Sequence, residues 1–256
     1  MLTYGLFLFL LGFTGTAESE ITPESQSSIT EKNSTRFPLN LYIKGYSYIR
    51  KSKVFKNFTL EDTIEWVDNV EQWSLPEMEK LFPYYLAGYD YEDRPIWVAE
   101  IGKYNIRSVV ERGPEGLNDV EKYCFQAAFR IFKSLYVKDT DTKEVRDIVF
   151  LGDFEGTDIS QLAHLPTVSF LLNLAGSYLD ITDQILGHAF AINVNYIAAR
   201  AFDLLRPILG GVFEKIEIYG INKSKWMAAL RRKLPEETIP PWYGGSKRFT
   251  PLEVYG

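Results

Sequence analysis

A single cysteine, Cys124, among 256 residues excludes an intramolecular disulfide and any multi-cysteine metal site. The two histidines, His164 and His188, lack metal-ligand spacing, so both read as structural side chains and no metal site is expected. No Gly-x-Ser-x-Gly elbow occurs, which removes a hydrolase nucleophile of that kind. No glycine-rich phosphate loop occurs either, because Gly210-Gly211 ends a helical pattern instead of opening one. Asp153 and Glu155 are expected to point to opposite faces of a strand and so to form no carboxylate pair. Basic residues are outnumbered, 28 Lys and Arg against 34 Asp and Glu for a net charge of −6, which argues against general nucleic-acid binding. The chain therefore reads as a non-enzyme without a cofactor.

Aromatic side chains are abundant, with 17 Phe and 16 Tyr, enough for a sizeable core or an apolar cavity. Cys124 lies among Val120, Phe125 and Ala128, so a buried thiol is favoured over a reactive one. At the N-terminus the apolar run Leu6 to Phe13 is too short to cross a bilayer and is followed by small residues, Thr14-Gly15-Thr16-Ala17. It resembles a secretory signal peptide over residues 1–17, although no Lys or Arg precedes the run. The expectation is a secreted protein or one in the secretory lumen. A misassigned start or a membrane-leaning segment would make it cytoplasmic. Glycosylation sequons at Asn33, Asn57 and Asn222 agree with export. Residues 18–36 are rich in Ser, Thr and Glu and read as disordered.

Thr59 is placed to cap a helix running through Ile64, Val67 and Val70. A short helix is expected over 76–84, a turn at 89–95 and a strand at 96–102. Helices at 104–112 and 117–137 follow, the second burying Val120, Cys124, Ala127, Ala128, Ile131 and Leu135. The apolar stretch 146–154 reads as a strand, 166–179 as a helix, 190–194 as a strand and 197–209 as an apolar-faced helix. Pro207, Gly210 and Gly211 interrupt that last helix and make it a hinge candidate. A strand at 216–219 and a basic helix at 224–234 complete the series. Alternating strands and helices imply an α/β layer with a largely parallel sheet and no second domain.

The order strand, hinged apolar helix, strand, basic helix and Pro240-Pro241-Trp242-Tyr243-Gly244-Gly245 resembles the C-terminal half of the CRAL-TRIO domain of Sec14-like proteins. The spacing from Asn193 to Pro207 and the ending Leu234-Pro235 through Tyr243-Gly244-Gly245 carry the match. Tyr48 to Phe55 resembles a motif of the small helical lobe that precedes the lipid domain, here abbreviated to residues 37–75. Asp90 to Pro95 is similar to the family's hairpin, and Asp153-Phe154-Glu155-Gly156 to its Asp-x-x-Gly strand end. The lipid domain would cover 76–247, with a short tail over 248–256. The chain runs only about ten residues past Tyr-Gly-Gly, so the GOLD domain of some animal relatives is not expected.

The resemblance implies a parallel sheet flooring an apolar cavity, closed by a mobile gate helix, that holds one hydrophobic ligand and meets membranes transiently. Cavity residues would be Trp97, Phe150, Phe170, Leu174, Tyr178, Phe190 and Ile192. The gate would carry Phe202, Leu205, Ile208, Leu209 and Phe213, with ordinary core packing as the alternative for each. Phosphoinositide-reading positions fall on Arg50, Gln184 and Lys215. Positions that meet choline lipids fall on Leu86, Trp97, Asp158 and Ser160, where the Asp158 carboxylate would repel a phosphate. A phospholipid other than phosphatidylcholine, a tocopherol, a retinoid or a sterol-like molecule is the expected ligand. Loss of transfer, leaving a protein-interaction or lipid-sensing module on the same fold, is the alternative.

Overall fold

The computed structural model describes residues 35–256. The signal-peptide reading, most of the stretch read as disordered, and the Asn33 sequon lie outside the described residues. Two N-terminal helices, α1 (Leu39–Ile49) and α2 (Leu60–Val70), come first. Thr59 starts α2 with a reciprocal capping box: its hydroxyl accepts from the Asp62 amide at 3.1 Å, and the Asp62 carboxylate accepts from the Thr59 amide at 2.8 Å. Tyr42, Val67 and Phe129 join these helices to a long later helix over Pro114–Tyr136.

A single turn of helix, α3 (Pro76–Leu81), leads into strand β1 (Tyr84–Tyr89) and strand β2 (Pro95–Ala99). Asp90 organises the intervening turn, accepting from the backbone of Glu92 and Arg94 and from the Arg94 guanidinium. Asp93 takes the left-handed backbone there, φ 65°, a conformation that Asp tolerates. The chain continues through α4 (Ile106–Val110), α5 (Pro114–Tyr136), β3 (Ile148–Asp153), α6 (Ile159–Ala163), α7 (Leu165–Ser177) and α8 (Leu179–Ile185). Strand β4 (Leu186–Ile192), α9 (Tyr196–Leu209), β5 (Ile216–Ile218), α10 (Lys223–Lys233) and β6 (Glu253–Tyr255) complete it.

The sheet order is β5-β4-β3-β2-β1-β6. Strands β2 to β5 are mutually parallel, as helical crossovers require, whereas β1 is antiparallel to both β2 and β6. This is the largely parallel α/β architecture expected. Two strands are additions to the sequence reading. Strand β1 begins where the 76–84 helix was expected to continue, and β6 lies in the stretch read as a tail. The 96–102 strand ends at Ala99, where the backbone tightens into a 3-10 turn over Ile101–Lys103.

Alternation along the strands splits the core into two layers. Ile96, Val98, Val149, Leu151, Phe190 and Ile192 pack on one face against Trp226 and Leu230 of α10 and against Tyr243. Trp97, Phe150, Leu86 and Ile148 occupy the other face, beneath α5 and α8. Helix α9 covers the β4 end of that second face, where Phe202 packs with Ala191, Val194 and Ala198. Among the described residues no helix is long and apolar enough to cross a membrane, and no group of His, Cys, Asp and Glu side chains is arranged to hold a metal ion.

Candidate lipid cavity

An apolar space of about 240 Å³ lies between the sheet and helices α5 and α7. Trp97, Ala99 and Phe150 form its floor. Val120, Cys124, Ala127 and Ile131 come from one stripe of α5, at the three- and four-residue steps that align side chains on a helix. Phe170, Leu171 and Leu174 descend from α7, and Phe82, Tyr84, Tyr104, Ile106 and Tyr123 close the side. Of the six α5 residues expected to be buried, Val120 and Leu135 are, whereas Cys124, Ala127, Ala128 and Ile131 are half-buried and the fully buried row instead runs through Tyr123, Gln126, Phe129 and Phe132. Tyr104 and Ile106 fall in the expected 104–112 helix, but nothing in the local pattern aims them at a cavity. Tyr84 was missed with strand β1.

Of the residues expected in the cavity, the structure brings together Trp97, Phe150, Phe170 and Leu174. Tyr178 stands outside the wall. Its ring meets Phe125 edge-on at 5.6 Å, and its hydroxyl donates to the Glu121 carboxylate at 2.6 Å. Burial, with that carboxylate beside it, pushes the phenol above its ordinary range. Phe190 and Ile192 are corrected outright: both face the α10 layer, on the far side of the sheet from the cavity. The register gives the reason. Phe150 pairs with Ala189 and Gly152 with Ala191, so the cavity side of β4 carries alanines, while Phe190 shares its face with Leu151.

The expected gate residues occupy α9 and the 3-10 turn after it (Gly210–Lys215), but none of them lines this space. Phe202 is buried, 5.0 Å from the Phe154 ring and 6.3 Å from Phe213. Leu205, Ile208 and Leu209 are half-buried, and Ile208 sits 3.8 Å from where a side chain on Gly176 of α7 would begin. Helix α9 continues through Pro207 and stops at Gly210, whose φ of 51° is a glycine conformation. Helix α7 is apolar, yet only Thr167 in it is fully buried.

The phosphoinositide-type positions converge on one edge. The Gln184 amide donates to the Tyr48 carbonyl at 3.2 Å, two residues before the exposed Arg50. The Lys215 ammonium is held by the carboxylate and carbonyl of Asp183. Asp158 and Ser160 lie away from the cavity wall: Asp158 caps α6, and its hydrogen bonds from Ser160 hold its carboxyl below the usual range. Leu86 is buried in the sheet core instead of lining the space. Asn57 and Asn222 are both exposed.

A second, polar hollow of about 420 Å³ opens at the carboxyl ends of β2 to β4. Asp153 and Glu155 both line it, against the expectation that they face apart. The strand ends at Asp153, and the turn brings the Glu155 amide onto the Asp153 carboxylate at 2.9 Å. Asp153 also accepts from Asn193 and from the Tyr243 hydroxyl, each at 2.8 Å. It is a structural anchor joining β3, β4 and the Tyr243-Gly244-Gly245 segment.

Burial in the cavity wall pushes the Cys124 thiol up to about 12. At neutral pH its thiolate fraction is then well below that of a free thiol. Iodoacetate should modify the native protein correspondingly slowly and the denatured protein fast, as read by intact mass. Rapid native labelling would place Cys124 outside a closed wall.

A largely parallel sheet roofed by helices over an apolar recess is the arrangement these elements form. The CRAL/TRIO domain model matches residues 79–245, and the chain belongs to that family, which binds lipophilic ligands. Its relatives include the SEC14 cytosolic factors of Kluyveromyces lactis, 23% identical over 77% of this chain and 70% of that protein, and of Eremothecium gossypii, 24% identical over 70% and 56%. A CRAL-TRIO domain-containing protein of Saccharomyces cerevisiae is 23% identical over 66% of this chain and 54% of its own length. The chain thus spans little more than half the length of two of these relatives. The crystal structure of Sfh5 shares the fold with a TM-score of 0.50 at 14% identity, covering 84% of this chain and 78% of that one.

Proposed function

We propose that this protein takes one hydrophobic ligand into the space between the sheet, α5 and α7, and passes it between membranes or carriers through movement of α7 and α9. The observation that carries this reading is a recess, partly open to solvent, whose exposed surface is apolar throughout. Apolar surface left facing water in such a recess is stabilised when a hydrophobic ligand covers it. At about 240 Å³ it falls below the roughly 300–1,000 Å³ of ordinary small-molecule sites, so a whole lipid requires the roof to move. Helix α7 is suited to that because so little of it is fully buried. Leu165 of α7, Ile159 of α6, and Tyr196 and Leu204 of α9 are exposed apolar side chains on these same helices, a natural face for a bilayer. The small volume also favours a second reading, a closed module of the same fold that senses lipid or binds proteins without transfer. Secretion remains part of the proposal through the N-terminal apolar run and the sequons. No catalytic step is proposed.

Mass spectrometry of the natively purified protein separates the two readings. A stoichiometric co-purifying lipid and exchange between vesicles are expected for the carrier; a lipid-free protein that catalyses no exchange would leave the module reading. The hinge is tested at Gly211, where an added Cβ meets nothing and φ is not left-handed. Gly211→Ala should slow exchange several-fold at unchanged ligand content. Gly210→Ala is the wrong probe, because alanine at φ 51° is strained for reasons unrelated to gating.

A further inference from the structure

We infer that the cavity admits hydrocarbon alone: an acyl or isoprenoid chain enters it, and any oxygen-bearing end of the ligand stays outside. This rests on the functional reading above and makes it specific. Its ground is the fate of the polar tips on the lining side chains. Tyr84, Tyr104, Tyr123 and Trp97 could each offer a hydroxyl or an indole N–H to a ligand. Each is committed elsewhere. The Tyr84 hydroxyl accepts from the Arg130 guanidinium at 2.7 Å. The Tyr104 hydroxyl donates to the Pro83 carbonyl at 2.5 Å, and that of Tyr123 to the Phe82 carbonyl at 3.1 Å. The Trp97 indole donates to Ser134 Oγ at 3.1 Å, and Ser134 passes its own proton to the Ile131 carbonyl at 2.7 Å.

The aromatic rings therefore present faces and edges to the space while their polar atoms are tied to groups outside it. No polar atom is exposed to the cavity at all. The Arg130 guanidinium, which meets the Tyr84 hydroxyl, is covered by the Tyr255 ring, 3.8 Å from its guanidinium carbon. A ligand hydroxyl or carboxyl placed inside would lose its water and gain no partner. The wall thus behaves as liquid alkane, which accepts no hydrogen bond, and not as octanol, which does.

Farnesene, farnesol and farnesoic acid form a matched probe series, read by displacement of bound N-phenylnaphthylamine from the full-length protein. The expected hydrocarbon-to-alcohol affinity ratio follows water-to-cyclohexane partitioning, with farnesoic acid weakest and improving as pH falls toward its carboxyl pKa. Val120→Thr, nearly isosteric, adds a hydroxyl to the wall and should recover farnesol affinity roughly tenfold or more. A wild-type ratio at or below the water-to-octanol value, or a carboxylate bound tightly at neutral pH, would overturn the inference and leave the apolar-carrier reading standing. Failure of all three probes, together with a lipid-free purified protein, would remove both.

Discussion

Leu174→Asp should strip the protein of its apolar ligand while the fold stands, and Phe190→Asp should unfold it. Leu174 lies half-buried on α7 at the cavity wall, so the new carboxylate faces the ligand space from a helix with solvent close by. The helix itself loses about 0.5 kcal/mol through propensity. A ligand entering would have to desolvate that charge, and affinity should fall by roughly two orders of magnitude. Phe190 is 1% exposed and packs beneath α10. Aspartate there removes a buried ring and buries a carboxylate; the Lys233 ammonium, 5.7 Å from the Phe190 ring, is already paired with Glu217, so a loss of about 4 kcal/mol or more is expected out of a total stability near 5–15 kcal/mol. Denaturant unfolding and ligand binding on the same preparations decide it. A stably folded Phe190→Asp that has selectively lost ligand would return the cavity to the α10 side of the sheet.

The second large effect is expected at Asp153. Its carboxylate is nearly buried and accepts from Asn193, Tyr243 and the Glu155 amide. Asn193 is itself held at φ 53°, which Asn tolerates but which needs support. Asp153→Ala leaves three donors without an acceptor, two of them on side chains that are almost fully buried. A loss of about 3–5 kcal/mol follows. Tyr243→Phe removes one bond and should cost about 1–2 kcal/mol. Because both changes act on one network, the double variant should lose clearly less than the sum. Additive losses measured by urea unfolding would mean that the two side chains are not coupled. Burial, with the Asp153 carboxylate beside it, raises the Tyr243 phenol above its ordinary range, so the network holds as an O–H donor to a carboxylate through neutral pH.

How far the sequence reached depends on what each segment was competing with. The parallel sheet was readable because β3 and β4 are apolar runs flanked by helical periodicity. Their facing was not. In Phe190-Ala191-Ile192 every residue is apolar, and a strand buried on both sides carries no polar marker to say which residues look toward a cavity. Side-chain size pointed to the phenylalanine; the register with Phe150 gives that side to the alanines. Strand β1 was lost because it starts three residues after α3 ends, inside the uncertainty of any helix boundary. Strand β6 has only three residues and is recognisable by its partner, since Tyr84 pairs with Tyr255 across 171 positions. On α5 the helical period was readable, but its deepest row, Tyr123, Gln126, Phe129 and Phe132, was not, because Gln126 interrupts the apolar pattern and is buried through its hydrogen bonds to Val70 and Trp73. Four of the five expected gate residues fall on α9 and Phe213 on the turn after it, but their distance from the cavity depends on how α9 lies over β4, which no local pattern encodes.

The alternation of the central strands separates two kinds of inheritance. Along β2, β3 and β4 each residue faces either the layer under α10 or the opposite layer under the other helices, and its neighbour faces the other. A lineage could therefore remodel the apolar recess through Ala99, Phe150 and the α7 side chains without touching the layer under α10 that stabilises the fold. Drift in cargo and constancy of fold are then written on alternate residues of the same strands, and selection can act on one while leaving the other at rest.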